Sequence, residues 1–375
     1  MPRSLERTCD SEVGGKTRRI LSFAGELGFQ FAGVTFVTEP GPEKKAFENW
    51  IAAGFAGEME FLAERERERT DARNIMPGAA SILSLGMHYR PPQRKKRISK
   101  LPAGRVACYA QGRDYHLLIK RRLKKLRRFI ERELPGVRTY MNVDVGPVLE
   151  RAHAARAGLG FLGRNTMLIH PEEGSYFFLT QVILDRSLEA TPARPAPFPD
   201  CGTCTACLDA CPTNAFPKPG VLDATKCISY LTIEHAGPIA MDLRPKMGEW
   251  VFGCDVCQEV CPWNRHAPET AERDFHARQG HARLDLAKLL VLSKEEMKEE
   301  FLGTPLYRAA GSKMKRNALV ALGNSGAPKA RKTLEEFLRR EKNPLLREHA
   351  EWALERLGRD NSAKRRLARK ARGSG

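Results

Sequence analysis

The sequence lacks several things, and each shortage narrows its class. No stretch approaches the roughly 20 consecutive apolar residues of a membrane-spanning helix, and charged residues make up 29% of the chain. A membrane span is excluded on that ground. The first residues also lack a charged region followed by an apolar run. Thr17-Arg18-Arg19-Ile20-Leu21 has the outline of a twin-arginine signal, but Glu26 breaks the apolar run such a signal needs. The reading is a core helix in a cytoplasmic protein. Acidic side chains are outnumbered, 45 Asp plus Glu against 63 Lys plus Arg, for a formal charge of +18. That imbalance points to a polyanionic partner, nucleic acid foremost. Cysteine is nearly missing outside one stretch: of 10, only Cys9 and Cys108 lie beyond residues 201–261. A disulfide framework spread over the chain is thereby excluded, and thiols crowded in a reduced compartment mark metal or cluster chemistry.

The crowded stretch has internal order. Cys201, Cys204, Cys207 and Cys211-Pro212 follow the bacterial ferredoxin spacing C-x2-C-x2-C-x3-C-P. Three thiolates two residues apart wrap one corner of a cubane, and in two-cluster ferredoxins the fourth ligates the other cluster. Cys254, Cys257 and Cys261-Pro262 repeat the last three positions, with Cys227 supplying the missing leader. The ligand count then closes on two 4Fe–4S clusters. Cys201, Cys204, Cys207 and Cys261 hold one; Cys211, Cys227, Cys254 and Cys257 hold the other. Two zinc sites would also use eight thiols, but the x2, x2, x3-Pro spacing given twice is not a zinc-ribbon spacing. A radical SAM triad would need a cysteine where Asn214 stands.

Elsewhere the patterning predicts alternating helices and strands. Helices are expected over 16–28, 42–53 and 117–134, and strands over 29–37, 80–89 and 138–145. A helix opens at Pro147 and closes at Gly158. Residues 166–170 and 175–184 read as a hairpin. The charged run Glu64 to Arg69 reads as a solvated helical face. In the helix from Leu117, Leu118, Leu123, Leu126 and Ile130 form a core stripe, so Lys120, Arg121, Arg122, Lys124, Lys125, Arg127 and Arg128 are expected to face outward. That face suits either solvent or phosphate, as does the basic loop Gln93 to Lys100. Asp144 falls at a strand end beside a helix start, where α/β folds bind ligands and ordinary turns also place Asp. Asp114-Tyr115-His116 begins like a corrinoid D-x-H-x-x-G signature, but Ile119 stands where its glycine belongs. Cys108 is either an inert buried thiol or part of a pocket wall. Ala318 to Leu322 recurs as Ala350 to Leu354, 32 residues on, the mark of stacked helix pairs of HEAT type.

Particular segments carry a family likeness: Gly57-Glu58-Met59, Gly112 to His116, Asp144 to Arg151, Gly158 to Thr166, Gly174-Ser175-Tyr176 and, most specific, Gly253 to Asn264. Together they resemble the epoxyqueuosine reductases from about residue 16 to 360. The resemblance implies a nitroreductase-like α/β domain holding cobalamin base-off, electrons fed by the two clusters, and epoxyqueuosine at the wobble position of a tRNA anticodon stem-loop as substrate. It implies Asp144 as the proton donor, with Arg69, Cys108, Asp114, His116, Asn165, Thr166 and Ser175 as cofactor-pocket candidates. A helix N-terminus favours an ionised carboxylate, which sits awkwardly with an acid at Asp144.

The expected organisation is a cobalamin domain at 1–190, a ferredoxin-like two-cluster domain at 191–270 and HEAT-like helices at 271–360. A disordered basic tail is expected at 361–375. An external electron donor and a monomeric, cytoplasmic state complete the expectation. Two rivals stand beside it: a cobalamin-dependent reductive dehalogenase, and an electron-transfer ferredoxin with no catalysis of its own.

Overall fold

The computed structural model describes residues 12–92, 102–192 and 200–372, with side chains only up to 358. Cys9, the basic loop from Gln93 and the prolines at 195, 197 and 199 lie outside the described residues. In chain order the strands are β1 (Phe31–Phe36), β2 (Ser81–His88), β3 (Ala103–Val106), β4 (Thr139–Asn142), β5 (Phe161–Leu162), β6 (Leu168–Ile169), β7 (Phe177–Leu184), β8 (Trp250–Phe252) and β9 (Arg283–Asp285). The principal helices are α1 (Glu12–Glu26), α2 (Pro42–Ala52), α3 (Tyr115–Glu133), α4 (Glu150–Arg156), α5 (Ser312–Asn324), α6 (Pro328–Arg340) and α7 (Pro344–Arg372). No helix among the described residues is long and apolar enough to cross a membrane.

The chain divides into two compact units, neither continuous in sequence. One comprises 1–89, 116–204 and 261–271; the other comprises 90–115, 205–260 and 272–375.

The first unit is built on a four-stranded sheet in the order β1-β2-β7-β4. Every pairing in it is antiparallel. The rule that ligands gather at the carboxyl ends of parallel strands therefore does not position Asp144. Every residue of β2 is buried, as expected of a central strand covered on both faces. Phe31 and Phe177 pack with Ala154, Ala157 and Leu159, which seats α4 against the sheet. Ile82 and Ile183 meet Val148 and Met76 in a neighbouring cluster.

Two sequence expectations change here. The segment 166–170 does not pair along 175–184: β6 pairs with β5, while β7 joins the main sheet. Only His170 and Gly174 bridge, so the turn between them is tight but its arms diverge. Gly174 has φ +74°, and an added Cβ would collide with the Asn264 side chain. The helix expected from Pro147 starts instead at Glu150, because Leu149 is its N-cap residue and the stretch before it forms a loop.

The second unit has a three-stranded sheet, β8-β3-β9, and packed helices. Both copies of the Ala-Leu repeat lie on helices, α5 and α7, which pack together. Ala318, Leu319, Ala350 and Ala353 are fully buried between elements of this unit. The tail expected to be disordered continues α7 to Arg372. Its Ala, Leu, Lys and Arg are strong helix formers, and no Gly or Pro follows Gly358 until Gly373.

Candidate functional site

The loop after β4 is where the first unit concentrates its unusual backbone and its polar contacts. Asp144 has φ +61°, a conformation that Asp tolerates better than most residues but that still carries strain of about 1 kcal/mol or more. The Val145 N–H donates to the Val143 carbonyl at 2.6 Å, and the Val148 N–H to that of Gly146 at 2.9 Å. Asn142 clamps the loop from below, its Oδ1 accepting the Gly146 N–H at 2.6 Å. Gly146 is needed there because any Cβ would strike that Oδ1 and meet the Tyr140 hydroxyl. The Asp144 carboxyl is 54% exposed at the rim, and Val145 beside it is 70% exposed.

Glu150, at the start of α4, reaches back under this loop. Its Oε1 accepts the Asp144 N–H at 3.1 Å and the Asn142 Nδ2–H at 2.6 Å. Burial pushes its carboxyl up to about 8, and the nearby Asp144 charge pushes the same way. The acid in the first turn of the helix is thus Glu150, not Asp144. The conflict between a helix N-terminus and a protonated Asp144 loses its premise. Sequence reading misses Glu150 and Asn142. The available signal is two polar side chains bracketing a Gly-Pro loop.

His116, on the first turn of α3, is buried, with Nε2 3.8 Å from the Asp144 Oδ2. Arg69 is also buried, at 9% exposure, and is not part of a solvated face. It lies over the Phe47 ring, 5.9 Å from its centroid, and reaches the Gly146 carbonyl at a long 3.4 Å. Its Nε has no hydrogen-bond partner among the described residues. Burial lowers its guanidinium from the ordinary value.

The other candidates of this unit are held differently. Thr166, with φ +65°, gives its carbonyl to Arg151. Asn165 is buried, its Oδ1 accepting the Met167 N–H at 3.2 Å. Ser175 is 1% exposed, and its N–H donates to the Asn264 Oδ1 at 2.7 Å. The structure therefore brings His116, Arg69 and Asp144 to one loop, while Asn165 and Ser175 are locked into the scaffold. Asn264 proves to be the partner that locks Ser175.

In the second unit the Cys108 N–H donates to the Asp255 Oδ2 at 2.7 Å. Burial, then the Asp255 charge, pushes the Cys108 thiol up. That is the environment of an inert thiol. The Asp114 N–H donates to the Gly303 carbonyl at 2.8 Å.

None of the nine described cysteines is in a disulfide. In the first unit the Cys261 thiol feels Cys201 and Cys204, and the Arg164 N–H points at the Cys201 Sγ at 3.4 Å. In the second, Cys254 and Cys257 both feel Cys227, and Cys254 also feels Cys211. Burial raises the Cys227, Cys254, Cys257 and Cys261 thiols. Backbone N–H groups from Ser229 and Tyr230 face Cys227, and one from Val256 faces Cys254. Such N–H groups support bound thiolates, and iron would supply the compensating positive charge. Among the described residues, no three His, Cys, Asp or Glu side chains converge on one point as a single metal ion requires. A cubane asks for one thiolate per iron instead.

Comparison with known proteins decides the class. A family model for epoxyqueuosine reductase QueG matches residues 69–145, the segment carrying Arg69, Asp114, His116 and Asp144. A model for a 4Fe–4S double cluster binding domain matches residues 200–264, which contain all the paired cysteines. This selects clusters over zinc. An epoxyqueuosine reductase of Pseudomonas aeruginosa is 44% identical over 345 residues, 90% of this chain and 94% of that protein. That of Escherichia coli K12 is 36% identical over 339 residues, 90% and 88% of the two chains. The Bacillus subtilis enzyme, solved with its catalytic loop swung out of the active site, superposes with a TM-score of 0.84 at 30% identity, covering 92% of this chain and 91% of that one. An epoxyqueuosine reductase solved with an epoxyqueuosine-modified tRNA-Tyr stem-loop gives 0.82 at 27% identity, covering 92% and 100%. The chain belongs to the epoxyqueuosine reductase family; it is an oxidoreductase and shares that family's two 4Fe–4S clusters and cobalamin.

Proposed function

We propose that Asp144 donates a proton in the reduction of epoxyqueuosine to queuosine at the wobble position of tRNA. The observation that carries this reading is the Asp144 loop itself: an exposed carboxyl on a strained backbone, held by Asn142 and Glu150. Converting an epoxide to an alkene takes two electrons and two protons, and the ring oxygen leaves as water. When bound, cobalamin supplies the reducing nucleophile and the clusters deliver its electrons one at a time. Asp144 presents a carboxyl proton to the ring oxygen as the first C–O bond breaks, leaving a neutral hydroxyl on the adjacent carbon; the second proton lets that oxygen leave as water when the second C–O bond breaks. A positioned general acid contributes about 10²–10⁴-fold. His116, buried with Nε2 3.8 Å from that carboxyl, faces the donor from α3.

The residues present fit the cofactors. Eight unbridged thiols, with backbone N–H groups facing Cys201, Cys211, Cys227, Cys254 and Cys261, suit two cubanes, Cys201, Cys204, Cys207 and Cys261 for one and Cys211, Cys227, Cys254 and Cys257 for the other. The exposed face at Asp144 and Val145, with the unpartnered Arg69 Nε behind it, suits a large ligand that covers it. Arg69, His116 and Thr166 are the residues of this unit that would meet cobalamin. Asn165 and Ser175 would act through the scaffold.

A nitroreductase-like cobalamin domain spans 1–190, a ferredoxin-like domain 191–270 and HEAT-like helices 271–360, ahead of the basic segment 361–375. The protein works as a cytoplasmic monomer with an external electron donor. Its tRNA contacts draw on the outward cations of α3. Lys120, Arg121, Lys124, Lys125 and Arg128 are exposed there and lack ion-pair partners among the described residues.

The test is queuosine formation from an epoxyqueuosine-bearing tRNA stem-loop by protein reconstituted anaerobically with iron, sulfide and cobalamin. Turnover that requires cobalamin, with substrate affinity falling steeply as salt rises, is the expected result. Reconstituted protein that leaves the epoxide untouched contradicts the reading.

A further inference from the structure

We infer that Glu150 is the positioning residue for Asp144, fixing the proton donor by holding its backbone amide rather than by touching substrate. The inference rests on the reading of Asp144 as that donor. The geometry behind it lies wholly within the first unit. One oxygen of Glu150 takes two bonds, from the Asp144 N–H at 3.1 Å and from the Asn142 side-chain amide at 2.6 Å. Asn142 uses its other end to hold the Gly146 N–H at 2.6 Å. Glu150 thereby holds the loop at two points, directly at Asp144 and through Asn142 at Gly146.

The backbone explains why such a latch is needed. Asp144 sits at φ +61°, a conformation that persists only where the surroundings over-determine it. The Asp144 and Val145 side chains are largely exposed and supply little packing. The loop's order therefore comes from below. Glu150 is itself anchored: its carbonyl accepts Gln181 Nε2–H at 3.2 Å from β7, and α4 packs on the sheet. The position of the donor carboxyl is thus transmitted from the central sheet, through α4 and Glu150, to the Asp144 amide.

A carboxyl in this place is expensive to keep as mere structure. Burial pushes Glu150 up to about 8, with Asp144 adding to the shift and Arg151 and Asn142 opposing it. Arg69 and Tyr140 lie in the same electrostatic neighbourhood. An apolar side chain would avoid that cost but would offer the Asp144 N–H no acceptor. A glutamine keeps the acceptor oxygen and cannot ionise, which separates positioning from electrostatics.

The experiment uses the full chain reconstituted with iron, sulfide and cobalamin, assayed on an epoxyqueuosine-bearing tRNA stem-loop. Glu150→Ala should lower kcat about 10–100-fold, the range seen when an outer-shell partner is removed, with KM within about twofold. Glu150→Gln should stay within about threefold of the parent. Glu150→Asp, which keeps a carboxylate but draws it back by one methylene, should behave like Glu150→Ala. It serves as the folding control should the alanine variant not fold. Amide exchange, read by mass spectrometry, should quicken in the 142–148 segment of the Asp and Ala variants and not in β2 or β7. Parental kcat in Glu150→Asp, equal losses in Gln and Asp, or unchanged exchange across 142–148 would each overturn the latch. Asp144→Asn runs beside them. If it keeps full activity, the donor assignment fails; if it is dead while Glu150→Asp is parental, the donor stands and only the latch falls.

Discussion

Two buried arginines, one in each unit, show how differently this chain treats a cation out of water. Arg316 is completely buried in α5, yet its guanidinium is fully engaged. It donates to the carbonyls of Leu231, His235 and Gly237 and to the Asn317 Oδ1. Arg69 is almost as buried, but its Nε has no partner among the described residues and its bond to Gly146 is long. A buried charge that is fully hydrogen-bonded belongs to the framework; one left short is tolerated where something else will meet it. Arg316 knits the second unit together. Arg69 waits beside the Asp144 loop.

That contrast orders its own tests. Arg316→Leu strands three backbone carbonyls and the Asn317 amide, and should cost about 3–5 kcal/mol of stability, read by denaturant unfolding. A loss under about 1 kcal/mol would remove the contrast from one side. Gly146→Ala drives a methyl into the Asn142 side chain and should displace the loop, lowering turnover by about tenfold or more while costing only about 1–3 kcal/mol. Arg69→Leu should leave stability within about 1 kcal/mol, since no strong pairing is lost, but should weaken cobalamin retention severalfold by spectral titration. Unchanged retention would return Arg69 to the framework.

The smallest effects sharpen the contrast through pH. Glu150 in the first unit is raised from 4.5 to about 8. As pH climbs, the unfolded chain gives up this proton first, so the stability tied to Glu150 is present below about 4.5 and is lost as pH rises through about 8. His349 in the second unit runs the other way. Its Nε2 accepts the Ile239 N–H at 3.2 Å while Nδ1 faces the Leu345 carbonyl at 2.7 Å. Burial lowers it from 6.5 to about 4. Below 6.5 the unfolded chain binds a proton that the fold refuses, so stability falls as pH drops toward 4. Glu150→Gln should flatten the fall in stability between about pH 4.5 and 8, and His349→Gln the fall below about pH 6.5, each by about 1 kcal/mol or more. If neither fall changes, the two groups are not buried as described.

The cysteine framework is legible in the sequence because spacing alone encodes it: thiolates two and three residues apart can only wrap something small and shared. The strands from Phe31 and Ser81 are legible from their apolar runs, and α3 from its Leu118 to Ile130 stripe. The sheet's antiparallel pairing is not, since buried runs look alike in either direction. The late start of α4 is hidden too: Pro147 and Gly158 frame a helix by the usual end signals, while the Asn142–Gly146 clamp keeps its first residues in a loop. Glu150 is hidden for the same reason. A glutamate in a helical first turn looks like a solvated dipole partner until the fold shows which amides it accepts.

The most direct measurement is turnover and iron content of Asp144→Asn side by side. The account predicts about eight irons per chain, as two 4Fe–4S clusters require, retained cobalamin, and queuosine formation reduced by at least about 10². Parental turnover in that variant, with clusters and cobalamin intact, would contradict it.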